Sequence, residues 1–248
     1  FKEMMCIKPM LDFHTHILPS VDDGSSSAEE SLKMLKALKK QGVDKVVLTP
    51  HFYAYASDIK SFLYDRERAL DALKERIRGE NLGIGLYLGC EVLYFDEIWR
   101  IDDIKKLCID GTQYMLVEMP FAAWTDSCIN GVVNLMSRGI TPVIAHFDRY
   151  IKYQYGMRVF YDLINEGALL QMNCGYVNRF LTRGKAISFL KKGIVSFIGT
   201  DCHNMADRQP NYARAIEYIE KGLSAHRFET FKRKEGLLSG AVRYDEER

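Results

Sequence analysis

Two short histidine motifs could place metal-binding side chains close together. His14 and His16 form an H-x-H pair in one short apolar segment, and Asp201 and His203 form a D-x-H pair after another. Residues two apart on a β-strand point to the same side, so each pair would face a common space. Imidazole and carboxylate groups are common ligands of divalent metal ions, so both motifs indicate a metal site.

Further imidazole and carboxylate side chains stand at or just after the ends of other predicted strands: Asp23, His51, Glu91, Glu118 and His146. Parallel α/β folds build their sites at this carboxyl-terminal rim, where five of the six histidines are placed. Carboxylates crowded there would be costly without cations. Nine candidate ligands exceed the needs of one ion, so we predict two or three. The mixed donor set favours manganese, iron or zinc.

Two arginines follow candidate ligands at short spacings, Arg149 three residues after His146 and Arg208 five residues after His203. A guanidinium group matches phosphate oxygens with paired hydrogen bonds. Several metal ions close together suit phosphate-ester hydrolysis, because they activate water and neutralise the phosphate. Arg149 and Arg208 are therefore the predicted catalytic, phosphate-binding residues, with a surface salt bridge as the alternative for either.

Cys202 and Arg208 also have the C-x5-R spacing of cysteine-dependent tyrosine phosphatases. That mechanism needs a loop of backbone N–H groups around the phosphate, usually glycine-rich and without acids. Asp201 and Asp207 would repel phosphate and raise the pKa of the thiol. We therefore reject a thiol mechanism. The six cysteines contain no C-x-x-C pair, and we expect reduced thiols in a cytoplasmic protein.

The elements that must position these residues alternate along the chain. Seven short apolar segments are predicted strands, at residues 11–16, 43–50, 84–90, 114–119, 141–146, 169–174 and 194–200. Amphipathic segments predict helices at residues 25–41, 59–78, 126–138, 157–166 and 182–191, and a helical tail at 213–221 and 226–234. Helix, glycine and strand recur in that order, which is typical of a parallel sheet, either a closed barrel or a doubly wound one.

Composition limits the class of protein. The chain has 248 residues, 47% hydrophobic residues and a net charge of +1, which fits one globular domain over residues 10–248. Residues 1–9 are interpreted as an N-terminal extension or an expression remnant. The near-neutral charge argues against a nucleic-acid partner. No apolar run approaches the roughly 18 residues of a membrane span, so we expect no membrane insertion.

Seven motifs in chain order carry a resemblance to a known family: His14-Thr15-His16, Val21-Asp22-Asp23-Gly24, Thr49-Pro50-His51, Gly89-Cys90-Glu91-Val92, Leu116-Val117-Glu118, the segment 142–150 and Asp201-Cys202-His203-Asn204. With them the chain resembles the PHP (polymerase and histidinol phosphatase) superfamily over about residues 10–208. Within that superfamily it is most similar to the bacterial manganese-dependent protein-tyrosine phosphatases of capsular and exopolysaccharide operons.

The resemblance implies an α/β fold, a distorted seven-stranded (β/α) TIM-like barrel of the PHP type. It implies three divalent metal ions, manganese by preference. The implied ligands are His14, His16, Glu91 and Asp201 for the first ion; Glu91, Glu118 and His146 for the second; and Asp23, His51 and His203 for the third. Arg149 and Arg208 would bind the substrate phosphate.

The predicted function is a metal-dependent protein-tyrosine phosphatase in which a metal-bridged hydroxide attacks phosphorus in line. The predicted partner is a phosphotyrosyl protein, the bacterial tyrosine kinase of polysaccharide synthesis. Tyr53 and Tyr55, which follow His51, would either stack on the substrate ring or pack on their neighbours. The alternatives are a small-molecule phosphatase such as a histidinol-phosphate phosphatase, a metal amidohydrolase, and a degenerate barrel that only binds a phosphoprotein.

Overall fold

A computed structural model of the protein describes residues 10–238 and 240–244. The predicted extension, residues 1–9, lies outside the described residues. The strands are β1 (Met10–Thr15), β2 (Val43–Leu48), β3 (His51–Phe52), β4 (Gly85–Leu88), β5 (Glu91–Leu93), β6 (Tyr114–Glu118), β7 (Thr141–Ile144), β8 (Leu169–Asn173), β9 (Phe197–Gly199) and β10 (Arg243–Tyr244). The α-helices are α1 (Ala28–Lys40), α2 (Ile59–Ile77), α3 (Asp126–Ser137), α4 (Arg158–Glu166), α5 (Cys174–Asn178), α6 (Phe180–Lys191), α7 (Tyr212–Gly222) and α8 (Ala225–Arg233).

Each of the seven predicted strand segments contains a strand, but the expected count of seven is not reproduced. Two short strands, β3 and β5, begin just beyond the ends predicted for the second and third strands, residues 50 and 90, and were not predicted. Pro50 lies between β2 and β3, and it has no backbone N–H with which to continue a ladder. The short strand β10 has no counterpart among the predictions.

The strands form two sheets, with orders β1-β2-β4-β10 and β3-β5-β6-β7-β8-β9. Every pairing is parallel except that of β10 with β4. The first and last strands of the parallel series meet through a bridge between Thr15 and Cys202. At this seam the His16 N–H donates to the Cys202 carbonyl at 2.9 Å, and the Asp201 N–H donates to the His14 carbonyl at 2.8 Å. The carboxyl ends of the parallel strands therefore gather residues from both halves of the chain.

The predicted helices are all present. In α1, the Ser27 side chain caps the first turn by accepting from the Glu30 N–H, and Leu32, Leu35 and Leu38 are buried. The tail docks through α7, where the Tyr212 hydroxyl donates to the Leu11 carbonyl at 2.8 Å. No helix among residues 10–238 and 240–244 combines the length and apolar character that crossing a bilayer would require.

Phe13 and Phe197 stack with ring centroids 3.9 Å apart, which fixes β1 against β9. The register of β1 against β2 shifts between Asp12 and Thr15, the pattern of a β-bulge. Such a bulge re-aims the side chains beside it, and His14 lies within this interval. The stacked rings therefore fix β1 in the core, and the register shift sets the direction of the His14 side chain at the end of the strand.

Candidate metal centre

The structure brings all nine predicted ligands together: most lie at the carboxyl ends of strands or in the turns that follow, whereas His51 and Glu91 begin the short strands β3 and β5 after β2 and β4. His14, His16, Glu91, His146, Asp201 and His203 are buried, Glu118 is almost fully so, and His51 is partly exposed. The Asp23 side chain is 64% exposed and lies at the rim. Six imidazole or carboxylate groups inside a core are costly unless they pair with one another or hold cations.

The first predicted set converges on one point. The Nε2 atoms of His14 and His16 are 3.0 Å apart, and they lie 3.1 and 3.4 Å from Oε2 of Glu91. The Oδ1 atom of Asp201 lies 3.7 and 3.6 Å from the same two nitrogens. Ligand atoms about 2.1 Å from one ion would be roughly 3.0–3.4 Å apart, so the spacing suits a single metal ion.

The second predicted set surrounds the other oxygen of Glu91. Oε1 of Glu91 lies 2.9 Å from Nε2 of His146, which is 3.6 Å from Oε1 of Glu118. His51 Nδ1 also approaches the group, 3.1 Å from Glu91 Oε2 and 4.0 Å from Glu118 Oε2. Because its two oxygens face two different sets, Glu91 has the geometry of a bridging carboxylate.

The third predicted set lies nearer to solvent. Oδ1 of Asp23 is 3.5 Å from Nε2 of His51 and 3.4 Å from Nε2 of His203. His16 also belongs to this group, since one ligand atom from each of the four residues lies within 4.8 Å of the others. The three sets therefore lie against one another, with His16 and His51 each close to two of them, and they form one cluster.

Unpaired polar atoms test whether metal ions fit this cluster. Nδ1 of His51, Oε1 of Glu91 and Nε2 of His203 are buried and make no hydrogen bond of acceptable geometry within the described chain. A buried polar atom without a partner costs about 1–3 kcal/mol. Divalent cations would satisfy all three atoms, so the donor set fits the predicted metal ions.

Asp22 was not among the predicted site residues, yet it connects two candidate ligands. Its Oδ2 accepts from Nδ1 of His16 at 2.7 Å and from the backbone N–H of His51 at 2.9 Å. A carboxylate on the far nitrogen of a histidine fixes the tautomer and turns the other nitrogen towards a metal. The motif Val21-Asp22-Asp23-Gly24 held the signal, since two adjacent acids can divide the roles of ligand and orienting partner.

Gln171 and Asn173 on β8 were also missed. The Gln171 Oε1 atom accepts from the His146 backbone N–H at 2.6 Å and lies 3.3 Å from Nδ1 of His14. The Asn173 side chain donates to Asp201 Oδ2 at 3.0 Å. These two polar residues stand two apart on an otherwise apolar predicted strand, a spacing that places both on one face.

Asp201 joins the cluster to both predicted arginines. Arg149 donates to its Oδ2, and Arg208 donates to its Oδ1 at 3.0 Å. Arg208 also lies 3.6 Å from Oδ2 of Asp23. The arginines thus stand beside the candidate ligands, as predicted, but both already contact a carboxylate. The alternative of a simple surface salt bridge does not describe them, because Asp201 is buried within the cluster.

The electrostatic field of the cluster favours cations. Burial alone would lower the pKa of His16, but the hydrogen bonds and charges of Asp22 and Glu91 raise it to about 10. Burial likewise lowers the pKa of His146, and the neighbouring carboxylates of Glu118 and Glu91, which favour the protonated ring, raise it to about 9. At His203, burial and the neighbouring His16 lower the pKa to about 3. Carboxylates that hold protons on imidazoles this strongly also attract metal ions.

Two candidate ligands have strained backbones, His146 with φ of 27° and Asp201 with φ of 54°. Such conformations cost about 1–3 kcal/mol each and concentrate at functional sites. Gly199 permits the close approach of β9 to β1, because a Cβ there would lie 2.6 Å from Cβ of His14. Gly24 does the same beneath His16, since its Cβ would lie 2.3 Å from the His16 carbonyl oxygen. The strand ends are therefore pressed together around the ligands.

Cys202 is buried beside the hydrophobic core, and burial holds the pKa of its thiol well above the usual range. A thiol in this state is a poor nucleophile. The structure therefore agrees with the rejection of the C-x5-R spacing as a catalytic motif.

Aromatic rings flank the cluster on two sides. The Tyr53 ring stacks on His51 with centroids 5.0 Å apart, and Tyr55 stacks on Tyr53 at 5.4 Å. On the other side Phe121 is parallel to His146 at 6.0 Å and is 47% exposed. Tyr53 and Tyr55 were singled out in the sequence, whereas Phe121 was missed because Pro120 and Phe121 follow β6 without a recognisable motif.

The family described as capsular polysaccharide synthesis, CpsB/CapC, matches residues 10–235. A putative tyrosine-protein phosphatase, CapC, of Staphylococcus aureus is 30% identical over 209 residues, which are 80% of this chain and 79% of the relative. The tyrosine-protein phosphatase YwqE of Bacillus subtilis (strain 168) is 28% identical over 223 residues, 86% of this chain and 84% of the relative.

A solved structure is similar over almost the whole chain. It is described under crystal structures of YwqE from Bacillus subtilis and CpsB from Streptococcus pneumoniae, which are called metal-dependent tyrosine phosphatases. The TM-score is 0.80 at 25% sequence identity, with 95% of this chain and 97% of the other covered.

Proposed function

Because the chain belongs to the CpsB/CapC family of capsular polysaccharide synthesis, we propose that it is a metal-dependent protein-tyrosine phosphatase. One observation carries the proposal. Two arginines contact Asp201 at the edge of a cluster of nine imidazole and carboxylate residues, in which Nδ1 of His51, Oε1 of Glu91 and Nε2 of His203 have no hydrogen-bond partner among the described residues. Cations in the cluster and guanidinium groups beside it together supply what a phosphate monoester needs.

We assign the three sets of residues to three divalent ions, manganese by preference. His14, His16, Glu91 and Asp201 would hold the first, Glu91, Glu118 and His146 the second, and Asp23, His51 and His203 the third. The ions would supply Lewis acidity, lowering the pKa of water and neutralising phosphate oxygens. The protein would hold these ligands in position through two side chains. Asp22 accepts from Nδ1 of His16, and the side-chain oxygen of Gln171 lies beside Nδ1 of His14 and accepts from the His146 backbone N–H.

Arg149 and Arg208 would bind the equatorial oxygens of the phosphate. Both reach Asp201 from the side of an open cavity, and Arg149 remains partly exposed there. Asp201 keeps the two guanidinium groups in place before substrate arrives, which lowers the entropy lost on binding. Fixed guanidinium donors aimed at these oxygens stabilise the charge that the phosphoryl group carries in the transition state.

An aryl ester suits the surroundings of the cluster. Tyr53 and Phe121 offer ring faces on opposite sides of the imidazole groups, where a tyrosyl ring could stack. A tyrosine leaving group, with a pKa near 10, also needs less proton donation than an alkyl alcohol. These features favour phosphotyrosine over histidinol phosphate, the small-molecule alternative.

The finer parts of the proposal concern fold, partner and location. We interpret the two sheets and the seam at Thr15 and Cys202 as one distorted seven-stranded barrel with two divided strands. The proposed partner is the tyrosine kinase of polysaccharide synthesis. A cytoplasmic location is supported by the five described cysteines, which are all free and buried.

Elemental analysis of protein purified without chelator, combined with kinetics, tests the proposal. We expect bound divalent metal and a higher kcat/KM for a phosphotyrosyl peptide than for histidinol phosphate. The opposite ranking would favour the small-molecule phosphatase. Metal-free protein that binds the peptide without hydrolysing it would favour a degenerate binding barrel.

A further inference from the structure

A cavity of about 220 Å³ extends from the arginine pair towards the junction of α5 and α6. Arg149, Asp201 and Arg208 form its inner wall, and Tyr176, Arg179 and Asn211 line the part away from the cluster. The inner wall belongs to the proposed phosphate site. The outer part does not belong to the proposed metal site or to the site of the scissile phosphate, and a substrate chain that leaves the phosphate site in this direction must pass it.

Arg179 is the cation of this outer part, and its side chain is exposed. Its guanidinium makes no hydrogen bond or ion pair with the described residues, whereas Arg149 and Arg208 both contact Asp201. The nearby Arg183 donates to the carbonyl oxygens of Val177 and Asn178 at 3.3 and 3.1 Å. Arg183 therefore has a structural role, and Arg179 is left with all its donors available.

Three acids also line the cavity, and each is already engaged. Asp201 is paired with two arginines, and the half-buried Asp148 accepts from the Asn173 N–H at 2.9 Å. Asp207 is exposed and accepts from the Asn204 side chain at 3.0 Å. Among the described residues none of these acids forms an ion pair or a hydrogen bond with Arg179, so its guanidinium donors are available to a ligand in the outer cavity.

We propose that Arg179 and the outer cavity bind an anionic side chain that lies close to the phosphotyrosine in the substrate. This inference rests on the proposed phosphatase function and adds a preference for sequence around the target tyrosine. A guanidinium group pairs with a carboxylate or a second phosphate through parallel hydrogen bonds. The substrate class is thus a phosphotyrosyl segment with an acidic residue, or a second phosphotyrosine, beside the scissile group.

Three peptides that differ at one neighbouring position test the inference: glutamate, glutamine or a second phosphotyrosine. Hydrolysis is followed as kcat/KM, and binding is measured by fluorescence anisotropy with hydrolysis-resistant phosphonate analogues. We expect the glutamate peptide to exceed the glutamine peptide about two- to fivefold in both measurements, as for an exposed ion pair. The advantage should shrink at high salt. The doubly phosphorylated peptide shows which anion is preferred.

Arg179→Gln should abolish the advantage, and Arg179→Glu should reverse it, so that the glutamine peptide exceeds the glutamate peptide. Arg158→Gln, an exposed arginine on α4 that does not line the cavity, is the control and should keep the advantage. Hydrolysis of p-nitrophenyl phosphate, which has no flanking residues, should stay within twofold in every variant. Equal treatment of the peptides by the native protein, or a preference that survives Arg179→Gln, would overturn the inference.

The two proposals fail in different ways. Protein that contains its divalent metal ions but hydrolyses neither p-nitrophenyl phosphate nor any peptide would contradict the phosphatase function. The binding measurements with phosphonate peptides still decide whether Arg179 selects an anionic neighbour, because they do not depend on turnover.

Discussion

The carboxylate of Asp22 holds Nδ1 of His16 at 2.7 Å, so that the other nitrogen of this histidine points at His14, Glu91 and Asp201. The same oxygen accepts from the His51 backbone N–H at 2.9 Å. A single carboxylate that is not itself a candidate ligand therefore sets the orientation of β1 and β3 ligands together.

Asp22→Asn should weaken metal binding about 10- to 100-fold, because the amide is uncharged and supports His16 less strongly. Competition with a fluorescent chelator would measure the affinity, and circular dichroism would show that the fold is kept. Asp162→Asn, an exposed acid on α4, is the matched control. Unchanged metal affinity in Asp22→Asn would mean that this hydrogen bond has no part in holding the ion.

Metal removal should abolish hydrolysis of p-nitrophenyl phosphate, and added manganese should restore it. Metal loading should also raise the melting temperature, because ligands that bind only the folded state stabilise it and the unpaired atoms of His51, Glu91 and His203 gain partners. Differential scanning calorimetry with and without metal measures the shift. Full activity in protein shown by elemental analysis to be metal-free would exclude the metal mechanism.

Cys202→Ser should keep most of the activity, because the thiol is buried and its pKa lies well above neutrality. The measurement is kcat/KM on p-nitrophenyl phosphate together with metal content. Inactive protein that retains its metal would reinstate a thiol nucleophile.

Arg149→Lys and Arg208→Lys should each lower kcat/KM about 10- to 100-fold, since lysine keeps the charge but loses the paired hydrogen bonds. Metal content should stay near that of the native protein. Loss of metal in step with activity would instead assign both arginines to holding Asp201.

Phe121→Ala should reduce kcat/KM for phosphotyrosyl peptides about three- to tenfold, which corresponds to one lost aromatic pair of about 0.5–1.5 kcal/mol. Hydrolysis of an alkyl ester such as β-glycerophosphate should change little, because it has no ring to stack. Tyr155→Ala removes a fully exposed ring and serves as the control. Equal losses on both esters would indicate damage to the metal cluster rather than lost stacking.

Much of the site could be predicted because a parallel fold brings strand ends together. His14, Glu118 and His146 could be placed at that rim from apolar runs and their carboxyl-terminal residues alone. The short strands β3 and β5 were missed, since each has only two or three residues and directly follows a predicted strand. Asp22, Gln171 and Asn173 were missed because a partner to a ligand is defined by where its hydrogen bonds go, and those cross long stretches of sequence.

The seam between Thr15 and Cys202 affects how long the protein would persist in the cell. The first ion would be shared by groups from both ends of the sequence, so its site is complete only after the last strand has docked. Contacts this far apart form late in folding, and a ligand that bridges them slows reopening. Cells short of metal are therefore expected to hold chains that open at this seam and are degraded sooner, so that metal supply sets the amount of enzyme as well as its rate.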